Sequence, residues 1–193
     1  MPKLPLSLYG RNTTILNDKL VTTLEMLPKQ FDFSFDFYPT KWRGNLRTTV
    51  LHLTTGSNCC SQGSRIPAVS LWMGYLSISF AVNGDGNYWI ESPKLTLNRW
   101  VSFKINQKLE GSNYVYRVYM DKILLKTIVN KTPRDYKNVK VFVGDDQYTA
   151  QPGYVKNIKI TTTPVVYASK SVSLFIVIYR YLSLFIVIYK LDF

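Results

Sequence analysis

Few side chains in this sequence are equipped for covalent chemistry. There is one histidine, His52, and the two cysteines are neighbours, Cys59 and Cys60. That leaves little material for a zinc site, which takes three or four nitrogen or sulfur ligands, or for a triad built on histidine. His52 alternates with Leu51 and Leu53 and has no serine and acid arranged about it, so a structural or surface role is expected. Carboxylates could still serve glycoside hydrolysis, where paired acids stand at alternating positions on one strand face. No Glu-x-Asp-x-Glu occurs. Asp32 and Asp36 share a face, but Ser34 stands between them and the spacing holds the two carboxyls far apart. An enzyme is not expected.

What remains are residues that bind. Lys122, Lys126, Lys131, Arg134, Lys137 and Lys140 crowd a stretch in which Asp135 is the only acid. On adjoining strands and their loop they could form a patch for polyanions such as sulfated glycans, or a solvated face that keeps the domain soluble. No nucleic-acid signature accompanies the charge, so nucleic acid is not expected as a partner. Calcium is the one cofactor the sequence leaves open. Asp85, in Asn83-Gly-Asp-Gly-Asn87, is a hard oxygen ligand, but the run lacks the bidentate Glu and regular spacing of a calcium loop and reads first as a hairpin turn. Asp145 and Asp146 could share a cation or solvate a loop, and solvation is favoured.

Tryptophan faces fit the apolar side of a sugar ring. Trp42, Trp72, Trp89 and Trp100 could each stack on a sugar; Trp42, beside Lys41, Arg43 and Gly44 in a polar loop, is the better candidate, whereas Trp100, at the start of a strand, is expected in the core. A bridge between Cys59 and Cys60 would close a strained ring, since adjacent Cα atoms lie about 3.8 Å apart. Free thiols and intermolecular pairing are the alternatives, and no spacing suggests a metal. Asn12-Thr-Thr and Asn130-Lys-Thr are glycosylation acceptors only if the chain is secreted.

The elements that position these residues follow from periodicity. The chain has 193 residues, 46% of them hydrophobic and 15% aromatic, enough for one folded domain despite a net charge of +12. Phe31, Phe33, Phe35 and Phe37 point one way while Asp32, Ser34 and Asp36 point the other, and the same alternation places Val101, Phe103 and Ile105, then Val139, Val141 and Val143, on inner faces. Further strands are expected at 46–54, 66–73, 75–82, 87–91, 114–120, 123–129 and 154–162, roughly ten to twelve in all, with a tight hairpin at Met120-Asp121-Lys122-Ile123. So many short strands need two sheets packed face to face, an all-β, antiparallel jelly-roll sandwich over residues 1–163.

Residues 164–193 are set apart as a low-complexity hydrophobic tail, in which Ser173-Leu-Phe-Ile-Val-Ile-Tyr is repeated at Ser183. This tail reads as a gene-model artefact, as a membrane anchor over 171–189 with Arg180 at its centre, or as a packed hairpin or helix. The opening MPKLPLSLYGRNTT has no apolar run of signal-peptide length.

Three stretches, TTGSNCCSQGSRIPAV at 54–69, AVNGDGNYWIESPKLTLNRWVSFKI at 81–105 and KTPRDYKNVKVFVGDDQYTAQPGYVKNIKI at 131–160, resemble in order and spacing the laminin-G and concanavalin-A-like jelly roll, closest to an uncharacterised extracellular invertebrate subfamily. The resemblance covers about residues 5–163 and rests most on the Leu-Asn-Arg-Trp strand start. It implies a non-catalytic, extracellular or cell-surface module that binds a glycan or matrix protein, sometimes through a rim calcium ion. A structural matrix component without a discrete ligand, or a glycoside hydrolase on the same scaffold, are the alternatives. The missing signal sequence departs from that pattern, and a truncated start would account for it.

Overall fold

The computed structural model describes residues 6–57 and 59–162, with Leu6–Tyr9 as backbone alone. No helix occurs among the described residues. Thirteen strands do: β1 (Leu6–Tyr9), β2 (Thr13–Thr14), β3 (Leu20–Leu27), β4 (Phe31–Pro39), β5 (Thr48–Thr54), β6 (Ala68–Trp72), β7 (Tyr75–Val82), β8 (Asp85–Glu91), β9 (Val101–Glu110), β10 (Asn113–Met120), β11 (Ile123–Asn130), β12 (Tyr136–Phe142) and β13 (Gly153–Thr162). They form two sheets. A seven-stranded sheet runs β1-β13-β4-β9-β10-β11, with β2 also pairing β13, and a six-stranded sheet runs β3-β12-β5-β6-β7-β8. Every named ladder is antiparallel. This is the expected two-sheet jelly-roll sandwich.

The alternation in β4 explains why the sheets meet where they do. Phe31, Phe33, Phe35 and Phe37 are all buried, while Asp32, Ser34 and Asp36 are half-exposed on the outer face. Opposite them, β7 sends Leu76, Ile78, Phe80 and Val82 inward. The ring of Phe80 stacks on Tyr116 of the other sheet at 4.2 Å, and Phe35 stacks on Phe103 of the neighbouring strand at 5.4 Å. Removing one such ring typically costs about 3–5 kcal/mol, because the surrounding core relaxes only in part.

Two turns place residues that matter below. Asp121 and Lys122 join β10 to β11 with φ of 47° and 69°, and Asn83 and Gly84 join β7 to β8 with φ of 54° and 84°. Both are the left-handed pairs that match the twist of a two-residue hairpin. The early strands β1, β2 and β3 were not expected. Leu20–Leu27 lies at a sheet edge and is exposed or half-exposed along most of its length, so it carries no alternation to read. A compact unit, Met1–Thr163, holds every described residue, and the tail with its repeated segment and the anchor reading lie outside them.

Candidate functional site

The outer face of the six-stranded sheet carries a cleft of about 320 Å³. Its floor follows from the pairing register. Ser70 of β6 lies opposite Ser77 of β7 and Thr49 of β5, while Ala68 lies opposite Ser79 of β7 and His52 of β5. Because Val69, Leu71, Leu76 and Ile78 take the inner face, the outward positions Ala68, Ser70, Ser77 and Ser79 of β6 and β7 are small. Small residues flanked by large ones make a trough.

One wall is aromatic. Trp89 lies opposite Ser79 and leaves 55% of its surface exposed, its neighbours Tyr88 and Ile90 packing against the core instead. The other wall is the loop that follows β12. It runs beside the first half of β5, tied by Gly144 N–H to the Val50 carbonyl at 3.1 Å, Thr49 N–H to the Thr149 carbonyl at 3.0 Å and Gln151 N–H to the Thr49 carbonyl at 2.9 Å. Gln147 and Tyr148 of this loop line the cleft. The loop also covers the outer side of β5, so all seven residues of that strand are buried.

A buried histidine–aspartate contact fastens the loop. His52, 2% exposed, meets Asp145, 4% exposed, with Nδ1 2.5 Å from Oδ2. Its Nε2 lies 2.7 Å from the Ser64 backbone carbonyl. The Thr49 hydroxyl donates to Asp145 Oδ1 at 2.6 Å, and the Gln147 N–H donates to the same oxygen at 3.1 Å. Burial alone pushes the Asp145 carboxyl up; the hydrogen bonds from His52 and Thr49 and the His52 charge outweigh it and hold the group below its ordinary 3.8. Asp145 was expected to solvate a loop or share a cation with Asp146. Only Asp146 is exposed, because the loop turns Asp145 inward onto β5.

Two arginines complete the cleft. Arg47 donates from Nη1 to the Ser70 hydroxyl at 3.0 Å and lies 5.7 Å from the centre of the Trp72 ring. Arg65 donates from Nη1 to the Asn87 amide oxygen, while its Nε is shut away from solvent without a partner. Cys59 and Cys60 are joined as neighbours, and Cys59 lines the cleft. Their loop lies against β8 at Gly86, where a Cβ would run into the Cys60 carbonyl. Chemically, the site offers an open aromatic face, serine hydroxyls, amides and two guanidinium groups. Among the residues that line it the one carboxylate is Asp145, which His52 and Thr49 already engage.

The residues singled out by sequence are distributed otherwise. Lys122 sits in the β10–β11 turn, Lys126 lies opposite Val118 on edge strand β11, Lys131 and Arg134 lie in the connector to β12, and Lys137 and Lys140 lie on β12 in the other sheet. All six are exposed, but two sheets and a connector separate them. Trp42 is half-buried and packs against the core, leaving the open ring face to Trp89. Trp100 is not in the core. It stands half-exposed 5.1 Å from the Tyr38 ring with Lys156 Nζ 3.9 Å over its centre, because it precedes the inward Val101 by one residue.

Asp85 closes the β7–β8 turn by accepting the Asn87 N–H at 2.7 Å. Among the described residues no three His, Cys, Asp or Glu side chains cluster at metal-binding distance. Asn12 is exposed, but Asn130 is buried, its amide nitrogen donating to Gln107 at 2.6 Å and its oxygen accepting from Asn83 N–H and Thr132 N–H. That acceptor site is therefore closed in the folded protein: the side chain fastens the β7–β8 turn. Sequence reading missed Arg47, Arg65, Ser70, Ser77, Ser79, Asn87 and Gln147, and it ranked Trp42 above Trp89. The alternation of Ser77 and Ser79 with Leu76, Ile78 and Phe80 did mark small outward residues, but only the register shows that they align with Ser70 and Trp89.

The protein is thus an all-β, two-sheet antiparallel jelly-roll sandwich with an open polar cleft on one sheet face. Its sequence matches no protein-family profile and no curated protein. Among solved structures it is similar to the CBM40 module of the Ruminococcus gnavus IT-sialidase bound to α2,3-sialyllactose, at 12% identity over 82% of this chain and 90% of that one, with a TM-score of 0.53. It is also similar to the receptor binding domain of botulinum neurotoxin type G (14% identity, 83% of this chain, TM-score 0.49) and to the Caenorhabditis elegans galectin LEC-6 (8% identity, 83% of this chain and 90% of that one, TM-score 0.41). The chain spans 47% of the length of the neurotoxin domain. At such identities the likeness is one of fold.

Proposed function

We propose that the protein is a non-catalytic binding module that takes a glycan in the cleft beside Trp89. The observation that carries this reading is the exposed Trp89 face standing over a floor of Ser70, Ser77 and Ser79. A sugar ring has an apolar C–H side that packs on an aromatic face and a rim of hydroxyls that need donors and acceptors. Asn87, Gln147 and the serines supply both. Arg47 and Arg65 line the cleft and favour a sugar bearing a carboxylate, since a guanidinium matches that group. The fold neighbour bound to sialyllactose is consistent with this chemistry. A glycoside hydrolase needs two carboxylates about the scissile bond, and a cleft whose one carboxylate is already bonded to His52 favours binding without reaction.

An extracellular or cell-surface setting fits a bonded Cys59–Cys60 pair and the laminin-G likeness of the three sequence segments. The test is a glycan array followed by calorimetry. The wild type binds a sugar, and Trp89→Ala weakens it about tenfold, the loss expected from one stacked ring, with an unchanged thermal midpoint. No retained glycan, or full binding by Trp89→Ala, overturns the reading. Labelling of the native protein on unpermeabilised cells checks the compartment.

A further inference from the structure

We infer that the opposite face of the sandwich carries a second site, a lysine-rimmed cleft for an acidic polysaccharide. This goes beyond the Trp89 cleft and stands without it. The outer face of the seven-stranded sheet holds a cleft of about 540 Å³, lined by Ser34, Asp36, Ser102, Lys104, Tyr119, Lys122, Asn157 and Lys159 among others. Register again builds it. Ser34 of β4 lies between Lys104 of β9 and Lys159 of β13, and Lys104 lies opposite Tyr119 of β10. Serines in the middle and long side chains on both flanks leave a trough.

Two irregularities bring the cations to it. A bulge in β13 between Lys156 and Lys159 puts both lysines on the outer face, with Asn157 in the left-handed region between them. The β10–β11 turn folds back onto β9, the Asp121 N–H donating to the Ser102 carbonyl and the Ser102 N–H to Asp121 Oδ1, and so carries Lys122 to the rim. Lys104 pairs with Asp32 at 2.9 Å, whereas Lys122 and Lys159 have no ion-pair partner among the described residues. On the floor, Asp36 accepts from Ser102 Oγ and from Asn157 Nδ2, each at 2.6 Å.

The composition selects the ligand. With Lys104 already paired to Asp32, the ammonium groups of Lys122 and Lys159 still outweigh the Asp36 charge and call for an anion. A carboxylate on the floor repels a bare phosphate but accepts from hydroxyls, so the anion is one carried on a hydroxyl-rich chain. Ammonium groups on flexible stems act as point charges without the forked geometry that fixes one anion in one pose, which suits repeated charges along a polymer. Two residues further along the strands the face turns aromatic, with Tyr38 opposite Tyr154 and beside Trp100, and this gives a polysaccharide an apolar terrace next to the charged trough.

Immobilised heparin, which carries sulfates and carboxylates, is the first probe, with the full chain eluted by sodium chloride. Each exposed charge contact is worth up to about fivefold, so Lys104→Gln/Lys122→Gln/Lys159→Gln is expected to lose about 10- to 100-fold. Lys108 still pairs Asp32 in that variant, at 3.0 Å. Removing the same charge elsewhere, with Lys126→Gln/Lys131→Gln/Lys137→Gln, is expected to lose less than about threefold, which separates a site from net charge. Binding retained on desulfated heparin and polygalacturonate assigns a carboxylate polymer, and binding lost on both assigns a sulfated one. Equal losses in the two triple variants, or a single-stranded DNA or inorganic phosphate that competes as well as heparin, overturn the proposal. Trp89→Ala keeps full heparin binding, and the first triple variant keeps the array glycan, so this proposal and the Trp89 reading fail separately.

Discussion

The two outer faces of this sandwich share a design, small residues aligned across strands and large ones beside them, yet they hold their cations differently. In the cleft of the six-stranded sheet the cations are arginines already engaged: Arg47 on Ser70 and Trp72, Arg65 on Asn87. On the seven-stranded sheet they are lysines, two of them without an ion-pair partner among the described residues. A fixed fork beside a fixed aromatic selects a shape, while free ammonium groups select a charge. The same contrast holds for the carboxylates behind each face. Asp145 is buried with His52 under a loop, and Asp32 stands half-exposed between Lys104 and Lys108, whose side chains are 49% and 41% exposed.

The largest expected effect separates those carboxylates. Asp145→Asn leaves His52 facing an amide in a closed space, and breaking a buried pair in this way costs about 3 kcal/mol, or roughly 6–12 °C of thermal midpoint in a domain of this size. Asp32→Asn loses only exposed pairs, worth under about 1 kcal/mol. A thermal melt of the two variants that gave equal shifts would erase the distinction between the faces.

Acid titration sharpens it further. Burial pushes Asp32 up too, but hydrogen bonds and charge from Lys104 and Lys108 bring it below its ordinary 3.8, as His52 and Thr49 do for Asp145. A depressed carboxyl stabilises the fold fully above its unfolded value and loses that contribution as pH falls through the lower folded value. Stability is therefore expected to drop below about pH 4, and Asp145→Asn to flatten that drop more than Asp32→Asn. Melts taken across that acid range measure both slopes.

Much of this architecture is legible in the sequence, and the rest is not for identifiable reasons. Phe31 to Phe37 shows its inner face by alternation alone, and Asn83-Gly84 and Asp121-Lys122 announce their turns because few residues tolerate left-handed backbone. A cleft, in contrast, is a property of register. Ser34, Lys104 and Lys159 are far apart in sequence and adjacent only because β4 pairs both β9 and β13. The Lys122–Lys140 stretch shows the converse: residues close in sequence are divided between two sheets when the chain crosses from one to the other after β11. Asp145 and His52 were each visible, but nothing local joins a strand residue to a loop 93 positions away.

The smallest effect is the most discriminating, because it exchanges the two kinds of cation. Arg65→Lys keeps the charge but gives up the planar guanidinium whose Nη1 holds Asn87, and an array glycan is expected to bind about fivefold more weakly. Lys159→Arg keeps the charge on a face where no fork is used, so heparin elution is expected to stay within about twofold. Calorimetry on the first and salt elution on the second measure the pair. If Lys159→Arg changed heparin binding as much as Arg65→Lys changed the glycan, the lysine face would also be reading geometry, and the difference between the faces would be one of ligand rather than of mechanism.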